Sequence, residues 1–247
     1  MCSQYRKPPI TEATIGVKLA QPLERAEIDA VVSDFRGQYP YIDARFQVSF
    51  TAFPGASSAQ ERSDGFNMRD ESALDVLVVG VQEIATSRLA PYPGWDILCT
   101  RALANYRRVR QRIGYKRQVR VGARFINRID IPFRGESMEI VLSDYITVSP
   151  DSLSIWPDVS YREYFISIRI NYAQPISVLL QTGIVPPALV KHMAIMLDID
   201  ASVEGDSVPQ NEPDLIELLA RLRKAKNEIF EQAITDKTRQ LFGLEAG

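Results

Sequence analysis

Apolar and polar residues alternate from Ala13 to Ala20, with Ile15, Val17 and Leu19 set against Thr14, Gly16 and Lys18. That is the period of a strand with one buried face. From Pro22 the spacing changes. Leu23, Ala26, Ile28, Ala30, Val31 and Phe35 recur every three or four residues until Gly37 and Pro40, which predicts a helix. A second strand follows from Phe46, Val48, Phe50 and Ala52. Residues 54–65 are small and polar, so a surface loop is expected there. Short strands are expected around Phe66–Arg69, Leu74–Val79 and Ile84–Leu89, the last two joined as a hairpin near Gly80.

Trp95, Leu98, Cys99, Ala102, Tyr106, Val109 and Ile113 mark an amphipathic helix that Gly114 stops. Residues 117–131 read as a long strand. One face carries Val119, Val121, Ala123, Phe125, Ile129 and Ile131, and the other Gln118, Arg120, Arg124, Ile126, Arg128 and Asp130. Further strands are expected at Met138–Thr147, Arg162–Tyr172, Ile176–Gln181 and His192–Val203. Asn211 and Pro213 open a terminal helix striped by Leu215, Leu218, Leu219, Leu222, Ala225 and Ile229, and a last short helix runs from Thr235 to Gly243. Hairpin-length links and few crossover helices point to an α+β fold, largely antiparallel, with about three main helices on one side. The chain, 1–247, reads as a single domain divisible into two intimate halves, 10–114 and 115–247, although no internal sequence repeat is visible.

Charge sharpens this picture. The formal net charge is only -2, from 29 Lys+Arg and 31 Asp+Glu. Residues 101–134 nevertheless hold eleven basic side chains and one acid, Asp130, a balance of +10 that leaves -12 for the rest. His192, Cys2 and Cys99 are too few and too scattered for a structural zinc site or a disulfide framework. The N-terminus lacks an apolar leader and no stretch is apolar enough to span a bilayer, so a cytoplasmic protein is expected. There is no G-x-G-x-x-G, G-x-x-x-x-G-K-[ST], H-E-x-x-H or G-x-S-x-G, and no cofactor is implied.

Five short stretches occur in order along the chain. They are Pro8-Pro9-Ile10-x-Glu12-Ala13, Leu89-x-Pro91-Tyr92-x-x-Trp95, Arg124-Phe125-Ile126-Asn127-Arg128-Ile129, Leu197-Asp198-Ile199-Asp200 and Phe230-x-x-x-Ile234-Thr235-Asp236. Together they resemble a family of sporadically distributed bacterial proteins of about 250 residues, defined by sequence and without an established activity. The patchy distribution implies mobile elements, defence islands or toxin-antitoxin neighbourhoods. Members of that family often carry a His within the terminal helix. This chain has Lys226 and Asn227 there, so no histidine mechanism is carried over.

The basic block supplies the candidate site. Arg101, Arg108 and Arg112 share one flank of the middle helix, and Arg120, Arg124 and Arg128 share one strand face at about 13 Å intervals. A surface built from both would suit nucleic acid or an acidic protein partner. The competing arrangement pairs these arginines internally with the acidic remainder, Asp198 and Asp200 foremost. Those two aspartates, about 7 Å apart on one strand face, also offer an alternative as metal ligands in phosphate-ester chemistry. His192 shares their face by parity, without a motif to make it a base. Asn127 falls among apolar residues, where a buried amide must be bonded, and is expected to tie a bulge. Trp95 is expected to anchor the core and Trp156 a loop. The sequence is therefore read as a binding protein rather than an enzyme, with a protein or nucleic-acid partner, no membrane, and self-association compatible.

Overall fold

The computed structural model describes residues 5–53, 56–133, 140–153 and 161–243. One antiparallel sheet of nine strands carries the molecule. Its strands are β1 (Ile10–Leu19), β2 (Tyr41–Phe53), β3 (Ala56–Arg69), β4 (Asp75–Gly80), β5 (Glu83–Leu89), β6 (Gln118–Pro132), β7 (Phe165–Ala173), β8 (Ile176–Val185) and β9 (His192–Glu204). Their order across the sheet is β2-β3-β4-β5-β1-β6-β9-β8-β7. The helices are α1 (Arg25–Phe35), α2 (Trp95–Ile113), α3 (Glu212–Ala233) and the short α4 (Asp236–Leu241). This is the α+β architecture expected from the periodicities. None of the helices is long and apolar enough to cross a membrane.

The order has a centre. β5 folds back against β1 and leads into α2, while β9 folds back against β6 and leads into α3. β1 and β6 then pair with each other, Gly16 opposite Gly122. The alternation seen in the sequence decides which face is which. Ile15, Val17, Val121, Ala123, Phe125, Ile129, Leu197, Ile199, Ala201 and Val203 are buried with Leu98, Val109, Leu215, Leu218 and Leu222 from the helices. The intervening residues of β1, β6 and β9 point the other way, to a face that no described helix covers.

Several boundaries differ from expectation for physical reasons. α1 begins at Arg25 rather than Pro22. Glu24 caps it through a reciprocal box with Glu27. Residues 56–65 are strand, not loop, and form the second arm of the β2–β3 hairpin. Backbone pairing along the whole of β2 overrides their weak strand propensity. The strand expected over Met138–Thr147 is not formed. Residues 134–139 lie outside the described set, and Leu142–Asp144 is a 3-10 turn. Leu142 and Ile146 are apolar because they are buried anchors, and Ile146 makes only an isolated bridge to Ile234. Asn211 caps α3 by accepting from the Asp214 amide, and Thr235 caps α4 by accepting from Thr238. Both caps lie where the sequence placed them.

Candidate functional site: the helix-free face of the sheet

Strand parity divides the basic block in two. α2 lies on the covered face, whereas Arg120, Arg124 and Arg128 of β6 project from the opposite one. The single helix-and-strand surface expected from the sequence is therefore not formed, because an odd/even alternation separates neighbours along β6 by the thickness of the sheet.

The α2 arginines serve the helix layer. Arg101 pairs with Asp75, a carboxylate only 4% exposed that Arg88 also holds at 2.8 Å. Arg108 donates to the Asp34 carbonyl and stacks on Phe35 with its guanidinium carbon 4.5 Å from the ring centroid. Arg112 reaches the Asp34 carboxylate at 3.4 Å. Outside this flank, Arg107 pairs with Glu212, Lys116 with Glu27 and Arg117 with Asp206. These contacts fasten α2 to α1, β4 and the start of α3. Arg134 lies outside the described residues.

On the helix-free face the strands bring small residues into one row. Ala85, Gly16, Gly122, Ser202 and Ser177 are successive register partners across β5, β1, β6, β9 and β8. A furrow therefore crosses five strands at right angles to the chain direction. One bank is the row Ser87, Thr14, Arg124, Asp200, Leu179 and Arg169; the other is Glu83, Lys18, Arg120 and Glu204. The groove so formed has a volume of about 600 Å³, with Arg45 and Asn67 at one end.

The carboxylates answer the arginines with a slip of one rung. Arg124 stands opposite Asp200 yet makes a bidentate pair with Asp198, Nη2 to Oδ2 at 2.5 Å and Nε to Oδ1 at 3.0 Å. Arg120 stands opposite Glu204, bonds it at 3.1 Å, and also reaches across the Gly122–Ser202 rung to Asp200 at 2.6 Å. The Arg124–Asp198 pair joins diagonal neighbours on one sheet face, which a side chain as long as arginine reaches readily. The Arg120 guanidinium lies over the floor of the furrow. A Cβ on Gly122 would sit 2.6 Å from its Nη1, so glycine is what lets it cross. Hydrogen bonding to Asp198 holds the Arg124 guanidinium above its ordinary pKa, so it is charged throughout the working range. Arg128 is turned to Asp130 at 3.1 Å and its backbone amide donates to the Pro9 carbonyl.

The two aspartates weighed as metal ligands are both taken up by arginines. Asp198 is 2% exposed and both its oxygens are engaged by Arg124, while Asp200 is engaged by Arg120. Among the described residues no group of three His, Cys, Asp or Glu could hold an ion. His192 shares their strand face as parity required, but stands at the start of β9, its Nδ1 2.9 Å from the Val190 carbonyl oxygen. Trp95 is a core residue stacked on Phe125, and Trp156 lies outside the described residues. Sequence reasoning named Arg120, Arg124, Asp198 and Asp200 but missed Lys18, Arg45 and Arg169. Their signal was the same even-odd parity, legible only once β1, β2 and β7 are known to share the sheet.

No family model matches the chain, and no curated protein matches it. Among solved structures, the di-domain ARO/CYC StfQ from the steffimycin biosynthetic pathway is 10% identical over 94% of this chain and 97% of that one. Its TM-score is 0.16.

Proposed function

We propose that the protein is a binding protein that receives a segment of a partner protein in the furrow on the helix-free face of its sheet. The observation that carries this reading is the chemistry of the groove lining. Five cations (Lys18, Arg45, Arg120, Arg124, Arg169) face four carboxylates (Glu12, Glu83, Asp200, Glu204) above a floor of Gly and Ala. A polyanion would gain little from so balanced a wall, since Arg120 and Arg124 would have to leave their carboxylates before meeting phosphate. A polypeptide of mixed charge can match both signs while its backbone approaches the small-residue floor. Lys18 and Arg169, both exposed, make no ion pair among the described residues and give such a partner its acidic contacts.

The test is capture of the products of neighbouring genes by the native chain and by the double variant Lys18→Glu, Arg169→Glu. Both positions are exposed, so folding should be unaffected, and loss of a captured partner in the variant supports the reading. Retention of the native chain on nucleic acid at low salt, abolished by the same variant, would replace the protein partner with a polyanion.

A further inference from the structure

The sheet has two edges, and β7 forms one of them. Among the described residues it pairs only with β8, so the backbone groups along its outer side have no strand to meet. None of its nine residues is buried. Phe165 is 62% exposed on the helix-free face and Ile168 40% exposed on the other.

The sequence of this edge is unusual for one that meets only water. Natural edge strands are blunted by charge, proline or a bulge, because an unpaired strand invites another chain. β7 reads Phe165-Ile166-Ser167-Ile168-Arg169-Ile170-Asn171-Tyr172-Ala173, with a single charge and no proline. Its one register shift against β8 falls between Asn171 and Ala173, at the far end. From Phe165 to Asn171 the edge is regular, with an isoleucine at every second position.

Two charges of opposite sign stand along it without partners. Arg169 makes no ion pair among the described residues, and neither does Glu163, exposed just before the strand begins. With the chain extended, the six residues between them span about 20 Å, so the two cannot meet within one copy. Between two copies they can. Antiparallel pairing of β7 with the same strand of a second molecule, about a two-fold axis through Ser167, sets Ile166 opposite Ile168, Phe165 opposite Arg169 and Glu163 opposite Asn171. Glu163 is then the diagonal neighbour of the second copy's Arg169, whose guanidinium comes against the Phe165 ring. Symmetry makes each of these contacts twice. An axis through Ile168 would instead bring the two Arg169 side chains to diagonal positions, and an axis through Arg169 would set them directly opposite each other. Charge thus favours a second copy as the occupant and Ser167 as the centre of the pairing.

We propose that β7 is a dimerisation edge, on which a second copy of this chain pairs antiparallel about Ser167 and continues the sheet. Such an axis stands perpendicular to the sheet, so the helices of both copies lie on one side and both furrows on the other. Arg169 stays on the helix-free face at the end of each furrow. The dimer does not rest on a partner segment occupying the furrow.

Sedimentation velocity of the full chain from about 1 to 200 µM tests this. A reversible monomer-dimer equilibrium with a dissociation constant below about 100 µM is expected, the strength of a small interface. Ile168→Lys, on the face away from the furrow, should leave the chain monomeric across the range, with the melting temperature of the dilute protein unchanged. Glu163→Arg and Arg169→Glu should each weaken the dimer at least about fivefold, since each turns two attractions into two repulsions, and the double variant Glu163→Arg, Arg169→Glu should restore it. A native chain that stays monomeric throughout, a dimer that survives Ile168→Lys, no recovery in the charge-swapped variant, or growth beyond the dimer would each overturn the proposal. Growth beyond the dimer would mean that β7 meets the opposite edge, β2, instead.

Discussion

Arg108 and Arg120 are close in the chain and belong to one run of positive charge, yet they end on opposite faces of the sheet. The α2 set is spent on holding helices to one another and to β4, with Asp75 buried beneath Arg88 and Arg101. The β6 set forms a cross-strand ladder on a face that no described helix covers, where Arg124 keeps half its side chain in solvent. A local charge excess thus does not make a charged surface. What matters is whether each guanidinium can turn to water when its partner is lost, and the two sets differ in that respect.

The largest expected effect follows from this difference. Asp75→Ala strands Arg88, whose side chain is 17% exposed, with no second carboxylate at hand, and should cost about 3 kcal/mol in urea unfolding. Asp198→Ala on the other face should cost only about 1 kcal/mol, because Arg124 at 51% exposure can hydrate. Equal losses at the two positions would erase the distinction between the faces. Gly122→Ala forces the Arg120 guanidinium off Asp200, and since only the end of a flexible side chain must move, about 0.5 kcal/mol is expected.

The smaller effects concern charge at the edges of α2. Glu27 is held below its ordinary pKa of 4.5, first by its hydrogen bond to Lys116 and then by the Glu24 amide. Its contribution is therefore complete above that ordinary value and is lost as pH falls through the lowered one. A melting-temperature series should show a drop beginning near pH 4.5 that is reduced in Glu27→Gln. Arg107→Gln removes an ion pair with Glu212 that stands in solvent, and the melting temperature should not change measurably. A clear loss there would mean that α2 depends on its outer charges as well as on its buried flank.

The elements that could be read from the chain are those whose signal is local. Alternation gave β1, β6 and β9 with the correct faces, and the helical stripes with Gly114, Asn211 and Thr235 marked where α2 ends and where α3 and α4 begin. The pairing of Arg120 and Arg124 with the aspartates of β9 followed from parity once the two strands were neighbours. Residues 56–65 of β3 were illegible, although Phe66–Arg69 was expected as strand, because the small polar residues are held as strand by β2 rather than by their own preference. Leu142 and Ile146 misled in the opposite sense, as apolar anchors of a turn look like a strand when nothing local tells burial from alternation.

The sequence by itself determined the period of each element, its caps and the sign of each exposed position, since these depend on neighbours within a turn or two of chain. Only the tertiary structure decided which elements became adjacent. It set Gly16 opposite Gly122, aligned five small residues into a furrow, divided one basic block between two faces, and left β7 at the edge of the sheet. Register and proximity are properties of pairs of segments far apart in the chain, and no single stretch encodes them.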